Sequence, residues 1–106
     1  MAVIKVSVLY PHADGYHFDM DYYVNRHIAM IRERLGSALQ KVEIDEGVSG
    51  PVPGSTPAFV AAVHMYFASA EAFYAAFTPH ARDITKDVAN YTGIRPVTQI
   101  STVLGN

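Results

Sequence analysis

The chain has no cysteine, which removes disulfide staples, thiolate nucleophiles and cysteine-ligated zinc at once. Charge is also sparse. Only 17% of the residues are Asp, Glu, Lys or Arg, and eight basic against ten acidic side chains leave a net charge of −2. A nucleic-acid surface needs clustered basic residues to displace the counterions around phosphates. No basic run is present, so no nucleic-acid partner is expected. No apolar run reaches the roughly eighteen residues of a membrane span, and Met1–Tyr10 carries Lys5 inside an alternating pattern instead of the basic, apolar and small-residue order of a signal peptide. These absences make the cytoplasm the expected location, with no membrane partner. Glycine-rich phosphate loops, dinucleotide fingerprints, Ser-His-Asp strings and haem-ligand strings are missing too, so no cofactor is expected.

What remains is a chain of 106 residues, half of them apolar, the size and composition of one globular domain over residues 1–106. Residues 2–10 alternate as a strand, with Ile4, Val6, Val8 and Tyr10 on one face and Lys5 and Ser7 opposite. After a turn-rich stretch containing Pro11, Asp14 and Gly15, Asp19 is placed to cap a helix over residues 20–35. At 3.6 residues per turn, Met20, Val24, His27, Ile28, Ile31 and Leu35 share its inner stripe, and Gly36 supplies the stop. Residues 39–48 alternate Val42 and Ile44 against Lys41, Glu43 and Asp45, as in an edge strand with one wet face. After the Pro- and Gly-rich segment 49–56, residues 58–68 are apolar on both faces. Phe59, Val63, Met65 and Phe67 point one way and Val60, Ala62, His64 and Tyr66 the other, the pattern of a covered central strand. Ser69 caps a second helix with Phe73, Ala76 and Phe77 inward, Pro79 interrupts it and opens a short helix to about Val88, and residues 95–104 form the last strand.

The order β-α-β-β-α-β is the ferredoxin-like split βαβ, an α+β fold with a four-stranded antiparallel sheet, both helices on one face, and the first and third strands central. The helices leave one face of the sheet open. Val and aromatic residues on the open face of the third strand predict a contiguous apolar surface, and a second copy packed sheet to sheet is its simplest cover. The expected assembly is a homodimer, a dimeric α/β barrel.

Three stretches carry a resemblance: FDMDYYVNRHIAMIRERLG at 18–36, HMYFASAEAFYAAFTPHARDI at 64–84, and DVANYTGIRPVTQISTV at 87–103. Together they resemble the EthD family, similar in fold to polyketide cyclases, muconolactone isomerases and haem-free antibiotic-biosynthesis monooxygenases. The family is associated with ether-degradation gene clusters and, in fungi, with polyketide tailoring. The resemblance covers nearly the whole chain and departs from the family at Ala29, where proline is expected.

His27 is the leading candidate for chemistry, because it occupies an apolar stripe where Leu or Ile is the usual choice. Burial favours its neutral form, the one a general base needs. The alternative is a core histidine satisfied by a backbone carbonyl or a tyrosine. The family's YY…H string, matched by Tyr22, Tyr23 and His27, implies function. His64 faces either the dimer interface or a substrate pocket. His12 and His17 flank a loop without a third ligand, so no metal is expected, and His80 ends local structure. Tyr10, Phe18, Tyr23, Phe73, Phe77 and Tyr91 are candidates to line a cavity between sheet and helices. Among them Tyr10, Tyr23 and Tyr91, with His64, are the expected substrate-binding residues, Tyr10 and Tyr91 because a phenol at the end of an element can donate to a substrate oxygen. Asp87 and Asn90, in the D-x-x-N-Y stretch, are expected to hold their loop by side-chain to backbone bonds. Two functions from different classes follow. One is a cofactor-free enzyme of cyclase, isomerase or monooxygenase type acting on a hydrophobic, oxygenated small molecule with His27 as acid or base. The other is a non-catalytic accessory or small-molecule-binding protein that supports an oxygenase degradation pathway.

Overall fold

The computed structural model describes residues 3–105. Four strands, β1 (Ile4–Pro11), β2 (Lys41–Glu46), β3 (Phe59–Phe67) and β4 (Val97–Thr102), form one sheet in the order β2-β3-β1-β4 with every neighbouring pair antiparallel. The first and third strands are thus central. Val6 lies between Met65 and Ile100, and Val8 between Val63 and Thr98, so these side chains share the face that the helices cover.

Asp19 caps the first helix as expected, its carboxylate accepting from the Tyr22 amide at 3.0 Å. The helix then departs from the simple period. Between α1 (Met20–Tyr22) and α2 (Ile28–Leu35) lies a π-helical segment, Tyr23–His27, in which the Ile28 amide reaches back five residues to the Tyr23 carbonyl. A π turn holds one residue more than an α turn, so positions before it rotate around the axis. Tyr23 consequently takes the core place expected of Val24: Tyr23 is wholly buried and Val24 is 39% exposed. Ala29 continues α2 without a break. Ile28, Ile31 and Leu35 form the inner stripe, and Gly36, at φ 58°, ends the helix in a conformation that glycine adopts without a Cβ clash.

Ser69 caps α3 (Ala70–Phe77) by accepting from the Ala72 amide at 3.0 Å. Pro79 sits in the 3₁₀ turn Thr78–His80 that leads into α4 (Ala81–Asp87), and a further 3₁₀ turn, Val88–Asn90, follows. Ile31, Leu35, Phe73 and Ile84 from the helices meet Val6, Val63, Met65 and Phe67 from the sheet in one core. Each large apolar side chain buried this way contributes about 1.5–3 kcal/mol. None of the described helices is long and apolar enough to cross a membrane.

The open face corrects the expectation of a contiguous apolar surface. Leu9, Val60, Ala62 and Val97 are interleaved there with Lys5, Ser7, His64, Tyr66, Glu43 and Asp45. The Tyr66 hydroxyl donates to Glu43 at 2.7 Å, and Lys41 and Lys5 stand over its ring. Val60 and Ala62 are already buried in the single chain. The β2–β3 connection curls over this end of the face from Gly47, whose amide still donates to the Val60 carbonyl at 2.9 Å and where a Cβ would lie 2.1 Å from the Phe59 carbonyl oxygen.

Candidate functional site

Sixty positions apart in the chain, His27 and Asp87 meet at 2.8 Å, Nδ1 to Oδ2. Two contacts between segments make the meeting possible: the Asp19 amide donates to the Tyr91 carbonyl at 2.8 Å, and Phe18 bridges to Thr92. These fasten the start of the first helix to the turn after α4. The other carboxylate oxygen, Oδ1, accepts from the Tyr22 hydroxyl at 2.7 Å and from Asn90 Nδ2 at 2.9 Å. Asp87 and Asn90 therefore hold a side-chain network rather than their own loop's backbone. Sequence reasoning missed Asp87 as the partner of His27. The signal was there in a local misfit, since a carboxylate in the last turn of a helix meets the negative end of the dipole, at about 0.3–1 kcal/mol.

The electrostatics assign the protons. Burial pushes the His27 pKa below the ordinary 6.5, and the Asp87 carboxylate only partly restores it. For Asp87, burial acts to raise the pKa, but the hydrogen bonds from His27, Tyr22 and Asn90 together win and hold it below the usual carboxylate value. At neutral pH the pair is a neutral imidazole beside a carboxylate. An ionised carboxylate only accepts, so Nδ1 carries the ring proton and Nε2 keeps its lone pair. The imidazole lies between the Tyr23 ring, stacked at 5.9 Å, and the Tyr91 ring at 4.7 Å, so its orientation is set.

His27 lines a cavity of about 430 Å³ between the helices and the helix-facing side of the sheet, within the size range of small-molecule sites. Among the described residues Nε2 has no hydrogen-bond partner, and it belongs to a ring that lines this space without being fully enclosed. Val63, Met65 and Phe77 give the wall its apolar character, and Tyr10 and Tyr23 line it as well. The Tyr23 hydroxyl is buried without a protein partner, a state that costs about 1–3 kcal/mol unless something else satisfies it. Burial raises its pKa far beyond the ordinary tyrosine value, so it is a donor and not a base.

The remaining expected site residues divide. Tyr91 is wholly buried behind His27 and does not line the cavity; its hydroxyl is paired with that of Tyr10 at 2.5 Å. Phe18 and Phe73 pack in the core without lining the cavity either. His64 is separated from His27 altogether, because it lies on the opposite face of the sheet beside a shallow hollow of about 440 Å³ under the β2–β3 connection. Both its nitrogens are engaged, Nδ1 with Ser7 Oγ at 2.8 Å and Nε2 with Asp45 Oδ2 at 3.1 Å. This has the order of a serine relay. It lacks donors for a developing oxyanion, since β1 runs between β3 and β4 with its amides committed to the two ladders. Among the described residues, no three His, Asp or Glu side chains gather to hold a metal.

Comparison with known proteins places the chain in a family. A comparison with curated proteins finds no match. An EthD-like protein from Ralstonia eutropha is 46% identical, with a TM-score of 0.94 over 99% of this chain and 95% of that one. An ethyl tert-butyl ether D (EthD) family protein from Bacillus halodurans is 21% identical, with a TM-score of 0.70 over 98% of this chain and all of that one. A dimeric ferredoxin-like protein of unknown function from Thermobifida fusca shares the fold at 17% identity, with a TM-score of 0.57 over 96% and 92% of the two chains. Residues 17–94, which include His27, Asp87 and the helices that join them, match the EthD domain, and the chain belongs to the EthD family.

Proposed function

We propose that the protein takes a hydrophobic, oxygenated small molecule into the cavity between sheet and helices and that His27 acts on it as a general base. One observation carries this reading: an imidazole that lines an apolar cavity has its Nδ1 committed to Asp87, while Nε2 is left without a hydrogen bond and the ring is biased to its neutral form. A lone pair held in fixed orientation, with a carboxylate behind to support the imidazolium as it forms, is what proton abstraction requires. Removal of a proton next to a carbonyl needs no cofactor. Nε2 takes the proton, and the C–H electron pair moves through the carbonyl to its oxygen as an enolate. The working unit of this proposal is a homodimer, a reading supported by the Thermobifida fusca protein of the same fold, which is described as dimeric.

The test is deuterium exchange of 2-tetralone, an enolisable bicyclic ketone, in D₂O followed by proton NMR. The wild-type protein should accelerate exchange above buffer, and His27→Gln should abolish the acceleration while the ketone still shifts the resonances of cavity residues. Binding without accelerated exchange in the wild-type protein overturns the catalytic reading and favours the non-catalytic carrier or accessory role.

A further inference from the structure

We infer that the molecule this cavity receives carries a negatively charged oxygen group, a carboxylate or an ionised enol, and that Arg95 pairs with it. The inference rests on the cavity reading above and adds the chemical class of its ligand.

Two residues with ionisable nitrogen line the cavity, His27 and Arg95, and no Asp or Glu does. His27 is neutral for the reasons given, so Arg95 supplies the cavity's one formal charge. Among the described residues its guanidinium has no carboxylate within ion-pairing distance, and the ion pairs there involve His27, Arg34, Lys41 and His64. A cation on the rim of an apolar cavity, in a chain of net charge −2, is a local reversal of the protein's overall sign. It favours entry of an anion and disfavours a cation.

The backbone on either side of Arg95 is constrained. Pro96 follows it and restricts Arg95 to extended backbone. Three positions before Arg95, buried Thr92 donates to the His17 carbonyl at 2.6 Å and accepts from the Ile94 amide at 3.1 Å. Thr92 therefore ties Ile94 to the loop at His17, β4 begins at Val97 on the other side of Arg95, and Ile94 and Pro96 also line the cavity. Such anchoring reduces the ordering cost of binding. A planar guanidinium matches the two oxygens of a carboxylate, or the oxygens of an ionised 1,3-dicarbonyl, better than an ammonium does. In the same arrangement an anionic group at Arg95 leaves the apolar body of the ligand against Val63, Met65 and Phe77, where the His27 base operates.

The experiment compares 2-naphthoate with its neutral counterpart 2-naphthamide by calorimetry and by NMR of the His27 ring on the full chain. The wild-type protein should bind the acid about tenfold more tightly than the amide. Arg95→Gln should remove that preference while leaving the affinity for the amide within about twofold. Arg95→Lys should retain only part of it, because the charge stays and the planar fork is lost. Equal binding of acid and amide by the wild-type protein, or a preference that survives Arg95→Gln, overturns the assignment of Arg95 while leaving the cavity reading intact. If neither probe perturbs His27, the cavity reading falls and the Arg95 assignment falls with it.

Discussion

Replacing Asp87 by asparagine exchanges one oxygen for an NH₂ group, and the geometry around it predicts that the ring proton of His27 moves to the other nitrogen. Oδ1 receives two donors, the Tyr22 hydroxyl at 2.7 Å and Asn90 Nδ2 at 2.9 Å. Those donors hold the amide carbonyl of the variant at the Oδ1 position, which turns its NH₂ toward His27 Nδ1. Nδ1 must then accept, the proton goes to Nε2, and the lone pair that faces the cavity is gone. The fold should survive. Three hydrogen bonds to a charged acceptor, at about 1.5–3 kcal/mol each, become neutral ones of about 0.5–1.5. Partial exposure of the Asp87 side chain, 17%, reduces the difference to a net loss of about 1–2 kcal/mol, or roughly 5–10 °C in a melt of a domain this size. Catalysis by a correctly protonated base contributes about 10²–10⁴-fold, so ketone exchange should fall by at least about 10² while binding persists. Long-range ¹H–¹⁵N correlation spectra distinguish the two histidine tautomers directly. If His27 keeps its proton on Nδ1 in Asp87→Asn, or if exchange proceeds at the wild-type rate with the tautomer reversed, the account of this pair is wrong.

Further expectations concern stability and assembly. His27→Gln should fold like the wild type, and His27→Leu should stay within about 1 kcal/mol of it, since Asp87 keeps Tyr22 and Asn90 and the stripe around position 27 is apolar; a loss above about 3 kcal/mol in thermal melts of the Leu variant would make His27 a structural residue. Tyr23→Phe should raise stability by about 1 kcal/mol by removing a buried hydroxyl without a protein partner, and an unchanged or lower denaturant midpoint would show that the hydroxyl is satisfied. The folded-state pKa of His27 is depressed below 6.5, so the unfolded chain binds the proton first and the stability His27 contributes is present above pH 6.5 and lost as pH falls toward the folded value. Urea midpoints at pH 7.5 and 5.5 should accordingly differ less in His27→Gln than in the wild type, and equal slopes would refute the shift. Light scattering in dilute neutral buffer should return about twice the monomer mass of 11.6 kDa, whereas a stable monomer would remove the open sheet face as an interface.

Much of the architecture was legible because it rests on short-range physics. Alternation in residues 58–68 separates Val63, Met65 and Phe67 from Ala62, His64 and Tyr66, and the sheet places the two sets on opposite faces. Asp19 and Ser69 cap the helices they precede because their side chains reach amides three residues on. His27 stood out for a related reason, a polar residue in an apolar stripe. What surrounds His27 was decided elsewhere. No local period predicts the π turn that buries Tyr23 and exposes Val24, because the extra residue is accommodated by packing against the core and not by helix propensity. Nor does spacing pair His27 with Asp87, or Tyr10 with Tyr91 across 81 positions. The sequence told which face His64 shares with Ala62 and Tyr66, while only the packing of the helices onto the other face decided that His64 and the cavity are separated by the sheet. Residue periodicity is a property of the backbone and can be read along the chain; the identity of a partner depends on how two helices and a sheet close on each other, which is where the carboxylate, the imidazole and the cavity first come together.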